Sequence, residues 1–119
     1  METTHGTWGN RHRVFQNSTC LVTVLELEPH KRCSWHSHET AFNLFYVVSG
    51  RLGVKTDKGY TSMVYPFRAF NVEPGVKHEF QTYESLTIVV EIAYVQFNEH
   101  DITRERLGGT MELSDGDDQ

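Results

Sequence analysis

A chain of 119 residues supplies one ordinary hydrophobic core and leaves no room for a second domain. Its formal net charge of −5, with acid gathered at Glu112, Asp115, Asp117 and Asp118 and no basic stripe to follow phosphates, argues against a nucleic-acid partner. Two cysteines without a C-x-x-C pair rule out a disulfide scaffold and favour a reducing cytoplasm, and no run approaches the roughly 18 apolar residues of a membrane-spanning helix.

The chain start, residues 1–10, is polar and lacks an apolar leader core, so it reads as a flexible, unprocessed segment, with Trp8-Gly9 as its one anchor. Val14-Phe15 and then C-L-V-T-V-L-E-L-E from Cys20 to Glu28 have the β-branched, aliphatic character of strands, closed by Pro29. After the loop His30-Lys31-Arg32-Cys33, the stretch Ser34 to His38 is expected as a strand. In extended chain, alternate side chains share a face, so His36 and His38 would present two imidazoles to one point.

Phe42 to Ser49 follows, with Asn43, Phe45 and Val47 on one face and Phe42, Leu44, Tyr46 and Val48 on the other. Both faces are mostly apolar, which predicts cover on both sides and, in a thin barrel with one interior, a homodimer. Gly50 turns the chain into Arg51 to Thr56, and Asp57-Lys58-Gly59 marks a hairpin before Tyr60 to Tyr65. Pro66 places residues 66–68 at an edge or in a loop. Ala69 to Glu73 is a short strand, Pro74-Gly75 a turn, and His78 and Phe80 then face inward together.

Ser85 to Phe97 is the longest β run, and residues 99–106 form a short helical turn ended by Gly108-Gly109. Short strands punctuated by Gly and Pro predict an all-β barrel or sandwich over 11–107. Residues 108–119 form a disordered acidic tail.

Of seven histidines, His5, His12, His30 and His100 follow no ligand spacing. His36, His38 and His78 do, and three neutral imidazoles suit a first-row transition metal. Neither cysteine has the spacing to close such a site into a structural zinc centre, which leaves positions open as in a catalytic one. Glu91 lies within an apolar strand, where an ionised carboxylate needs a partner; Arg51, Arg68 or Arg104 are the candidates. Tyr46 and Tyr94 offer hydroxyls that could reach a substrate, and Arg68 near a rim could meet an acidic ligand.

His36-Ser37-His38, Asn43 and Gly50 resemble the first cupin motif, and Pro74-Gly75-Val76-Lys77-His78 resembles the second. The resemblance implies a single-domain cupin-type β-barrel, the double-stranded β-helix or jelly-roll-like fold of RmlC-like proteins. It also implies one divalent transition metal (Zn, Fe, Ni, Cu or Mn) held by His36, His38 and His78, with Asn43 completing the site as a weak carbonyl ligand or a hydrogen-bond partner of a bound water. Asn43 stands where cupins usually carry Glu. Trp8-Gly9, Val47-Val48-Ser49-Gly50, Val90-Glu91-Ile92 and residues 99–104 are together similar to the mannose-6-phosphate isomerase type II cupin domain. Aligned with it, His36 replaces a Gln, Ala41 an Arg and Asn43 the Glu.

Those departures remove a cation and a carboxylate from the isomerase pattern, and the charge of the loaded site would be +2. The expected activity is Lewis-acid isomerisation or epimerisation of a small sugar or sugar acid, with Glu91 and Tyr46 as the catalytic candidates. Two other expectations stand beside it. One is an oxygen-dependent 3-His dioxygenase, separable by anaerobic assay, and the other is a non-catalytic ligand-binding or sensor barrel.

Overall fold

The computed structural model describes residues 2–95 together with Gly108, Thr110 and Met111. The helical turn expected at 99–106 and nearly all of the acidic tail lie outside the described residues. Nine strands are formed among the described residues: β1 (Glu2–Gly6), β2 (Gly9–Gln16), β3 (Cys20–Leu27), β4 (Phe42–Ser49), β5 (Leu52–Thr56), β6 (Thr61–Val64), β7 (Ala69–Val72), β8 (His78–Gln81) and β9 (Thr87–Tyr94). They build a six-stranded sheet in the order β1-β2-β3-β9-β4-β7 and a three-stranded sheet in the order β6-β5-β8, and every pairing is antiparallel. The all-β double-sheet architecture is the one the strand pattern predicts.

Alternation along the strands decides what fills the space between the sheets. Leu25 and Leu27 from β3, Phe45 and Val47 from β4, Leu52 and Val54 from β5, Val64, Val72, Phe80 and Val89 form one buried core drawn from both layers. Burying each such side chain contributes about 1.5–3 kcal/mol, and this set is what holds the two sheets face to face. On the wide sheet the inward residues line up across strands: Thr23 opposes Glu91, which opposes Phe45, and Leu21 opposes Ala93, which opposes Asn43.

Two glycines fix chain geometry where no other residue fits. At Gly50 (φ 79°) a Cβ would stand 2.4 Å from the Thr87 hydroxyl oxygen, so the turn from β4 to β5 can lie tightly on β9. At Gly9 (φ 143°) a Cβ would stand 1.9 Å from the Glu26 carbonyl oxygen, so β2 reaches β3 only through glycine at this point.

Two expectations are corrected. The chain start is not without regular structure: Glu2–Gly6 pairs with β2 as a hairpin whose first strand is exposed throughout. Ser34 to His38 is not a strand. The segment runs beside β8, with Cys33 N–H donating to the Phe80 carbonyl and His36 bridging His78, so three steps on one side meet two on the other. That extra residue breaks the ladder into the isolated bridges Arg32–Gln81 and His36–His78. The outer face of β4 is half-buried within one chain, since Phe42, Leu44 and Tyr46 all keep part of their surface accessible.

Candidate metal centre

The two histidine-bearing segments are brought together by the backbone before any side chain acts. His36 N–H donates to the His78 carbonyl at 3.1 Å and His78 N–H to the His36 carbonyl at 2.8 Å. Gly75 N–H donates to the His38 carbonyl at 2.7 Å, tying the Pro74-Gly75 turn to the far end of the His-x-His segment. His36 and His38 do share a face, as extended chain requires even without a full strand. The ring centroids lie 5.0 Å apart for His36 and His38, 4.6 Å for His36 and His78, and 5.5 Å for His38 and His78. One ring nitrogen of each lies within 4.8 Å of the others, close enough for a single ion with bonds near 2.0–2.1 Å after small side-chain adjustments.

Which nitrogen faces the centre follows from what the other one does. His78 Nδ1–H donates to the Val76 carbonyl at 3.0 Å and His36 Nδ1–H to the Ser34 carbonyl at 2.8 Å. Each of these rings therefore turns an Nε2 lone pair towards the centre, held in orientation by a backbone carbonyl. His38 Nε2 is buried with no hydrogen-bond partner among the described residues, and so is Asn43 Oδ1. Asn43 Nδ2 lies 3.5 Å from His78 Nε2, at the outer limit of a hydrogen bond, and Asn43 is almost wholly buried on β4. Buried polar atoms without partners are costly. A nitrogen and an oxygen orphaned beside the same three rings fit a divalent cation.

Burial pushes the His78 imidazole below its usual pKa, partly offset by the Val76 carbonyl and reinforced by the neighbouring His36 and His38. His38 moves the same way, from burial first and the His36 charge second. Both effects keep the rings unprotonated at neutral pH, which is the form that binds a metal.

A cavity of about 220 Å³ opens from this cluster, bounded by His36, His38, Asn43, Phe45 and Phe80 on the inner side and by Trp8, Arg11 and Arg13 on the outer. Glu91 and Cys33 also line it. Of the two catalytic candidates the structure brings Glu91 to the cavity and leaves Tyr46 on the opposite face of β4, opposite Val90 and Ala69. Tyr94 also lies outside, stacked on Phe42 at 5.2 Å with its hydroxyl donating to Asn71 Oδ1 at 3.2 Å.

Burial holds the Glu91 carboxyl above the usual carboxylate range, with the Arg11 charge the strongest influence drawing it back and His36 the next. The partner expected for it is therefore misassigned in two cases: Arg51 donates to Glu84 at 3.0 Å, and Arg68 is exposed away from the cavity. Arg104 lies outside the described residues. Sequence reasoning missed Arg11 and Arg13, although their i, i+2 spacing after Trp8-Gly9 puts both on one face of an extended strand.

The chain matches the family described as "Cupin domain" over residues 23–91, more than half its length, and it belongs to that family. Among solved structures, KdgF from Halomonas sp. is similar with a TM-score of 0.72 and 17% identity, covering 82% of this chain and 90% of that one. An RmlC-like cupin from Shewanella frigidimarina is similar with a TM-score of 0.68 and 20% identity, covering 84% and 86%. The Cnp3 cupin domain of Schizosaccharomyces pombe has a TM-score of 0.68 at 11% identity, covering 73% of this chain and 64% of that one. At these identities the likeness is one of fold. No curated protein matches the chain in sequence.

Proposed function

We propose that this cupin binds one divalent transition metal through His36, His38 and His78, with Asn43 beside it, and isomerises or epimerises a small sugar-like molecule. The observation that carries the reading is the convergence of three imidazole nitrogens within 4.8 Å, two of whose rings, His36 and His38, line a partly polar cavity. When bound, such an ion would act as a Lewis acid on a carbonyl oxygen. The chain's own contributions are distinct. The Val76 and Ser34 carbonyls hold two rings in orientation, Phe45 and Phe80 exclude water, and Glu91 is the one carboxyl group lining the cavity, placed to take or give a proton.

The order of Trp8-Gly9, the two histidine motifs and Val90-Glu91-Ile92 supports a sugar-related reaction. With Asn43 in place of a carboxylate, nitrogen-preferring ions such as Zn²⁺, Ni²⁺, Cu²⁺ or Fe²⁺ suit the ligand set better than Mn²⁺. The test is metal analysis of protein purified without added metal, with His36→Ala and His78→Ala alongside. Wild type is expected to carry about one ion per chain and each variant a small fraction of that. Turnover is then read as deuterium exchange beside the carbonyl of an aldose or ketose in heavy water under argon. Exchange that needs oxygen, or metal content unchanged in both variants, sinks the reading.

The protein is proposed to be a cytoplasmic homodimer. No helix among the described residues is long and apolar enough to cross a membrane. The outer face of the wide sheet carries Val22, Val24, Leu44, Tyr46, Val90 and Ile92 in register and only half-buried, an apolar surface of the kind that a second copy covers. Sedimentation at micromolar concentration should give the mass of two chains; monomer alone overturns the dimer.

A further inference from the structure

The wide sheet has three more strands than the sheet facing it, and β2 contributes an inner face that ends at the cavity rather than in the core. That face carries Gly9, Arg11 and Arg13, two guanidinium groups on the wall across from the imidazoles. They are not equivalent. Arg13 is taken by Glu2 at 3.1 Å. Arg11 has no carboxylate within ion-pair distance among the described residues, and its guanidinium carbon lies 5.5 Å from the centre of the Trp8 ring. Trp8 is itself seated edge-on against Phe80 at 5.8 Å, so the platform under Arg11 belongs to the core.

A guanidinium held over an indole by cation–π attraction spends none of its N–H donors on that contact, which leaves them for a carboxylate and its two parallel hydrogen bonds. We infer that Arg11, held over Trp8 at the cavity wall, anchors a substrate carboxylate, so the site takes a small hydroxylated monocarboxylic acid rather than a neutral sugar or a phosphate ester. The inference rests on the metal-centre reading for what lies at the other end of the molecule.

Charge and size narrow the class. With Arg13 compensated by Glu2, Arg11 is the wall guanidinium without a direct ion pair among the described residues, one cation suited to a monoanion. A phosphate dianion at this wall would need a second cation beside Arg11, and Glu91, the one carboxyl group lining the cavity, would repel it when ionised. A cavity of about 220 Å³ is smaller than the roughly 300–1,000 Å³ of pockets for drug-sized ligands, which suits one sugar-sized unit rather than a chain.

The test uses the full-length protein as isolated, with Trp35→Phe so that Trp8 is the only indole and reports directly on its neighbour. D-glucuronate and D-galacturonate are titrated against D-glucose, D-galactose and D-glucose 6-phosphate, following Trp8 emission. At least one uronate is expected to bind about tenfold or more tighter than its neutral counterpart and tighter than the phosphate ester. Arg11→Met should abolish that preference, and Arg11→Lys should keep the charge but lose most of it.

A preference that survives Arg11→Met, a phosphate ester that binds tighter than both uronates, or no saturable response to either uronate up to about 10 mM overturns the assignment. Metal content measured on the same samples keeps the two readings apart. In His78→Ala the uronate preference should persist although the ion is gone. Full metal content in that variant would sink the metal centre and leave Arg11 standing, whereas a preserved preference in Arg11→Met would sink Arg11 alone.

Discussion

His36 and His78 exchange both of their backbone hydrogen bonds, at 3.1 and 2.8 Å, across a single isolated bridge. The two imidazoles are thus positioned by main chain that does not depend on the rings. Removing one ring should leave the bridge, and with it the fold, in place. The His78→Ala protein is therefore expected to keep its far-ultraviolet circular dichroism while losing its ion. Chelation of the wild type should lower Tm by several degrees, because a ligand present at about 100 times its Kd adds about 2.7 kcal/mol. Asn43→Glu should raise Mn²⁺ affinity by about tenfold or more relative to wild type, since a carboxylate is the harder ligand. Equal Mn²⁺ binding by the two proteins would show that position 43 does not reach the ion.

Glu91 sets a pH dependence whose sign follows from its environment. Its folded pKa is raised above the value of about 4.3 it has in the unfolded chain, so the folded state binds its proton more tightly. That contribution to stability is fully present below pH 4.3 or so and is lost as pH rises through the folded value. At pH 7 the group therefore works against folding. Glu91→Gln, which keeps the shape and removes the titration, should raise Tm at pH 7, with the gain shrinking as pH falls towards about 4.5. A Tm difference independent of pH would contradict this account.

Gly9 admits no side chain, because a Cβ there would stand 1.9 Å from the Glu26 carbonyl oxygen and φ is 143°. Gly9→Ala must push β2 away from β3 and should cost about 2–4 kcal/mol, at the upper end of single substitutions. The loss should be local at first: Trp8 emission shifts to the red at denaturant concentrations below the main transition. A variant as stable as wild type would show that the hairpin is not pinned at this point.

Cys33 sits on the cavity wall with its Sγ accepting from Phe80 N–H at 3.1 Å, and burial pushes its thiol pKa up to about 11. At pH 7.5 very little thiolate is present, so iodoacetamide should modify Cys20 well before Cys33, by an expected factor of about ten or more. Peptide mass mapping after timed quenching reads the order. Faster modification of Cys33 would mean that the cavity is more open and more polar than its lining indicates.

The histidine trio and Asn43 were legible in sequence because two short motifs with fixed internal spacing carry them, and the apolar alternation of β3, β4 and β9 announced the double sheet. Other features were hidden for physical reasons. Ser34 to His38 looks like a strand, yet one surplus residue against β8 leaves only bridges. Sequence points to arginines flanking the core strands as partners of Glu91, while the charge that influences it most comes from Arg11 on a strand with almost no apolar pattern. β2 is exposed over most of its length, so nothing in its hydropathy marks it as a wall. Only the pairing register with β3 reveals which of its side chains turn inward.

That overhanging hairpin gives the molecule a division of labour. The histidines hang from the segment beside β8 and from β8 itself, whereas Trp8 and Arg11 ride on a separate hairpin joined to the sheet along one border. Changes of residue along β2 can accordingly reshape one wall of the cavity while the main-chain supports of the histidine cluster stay untouched.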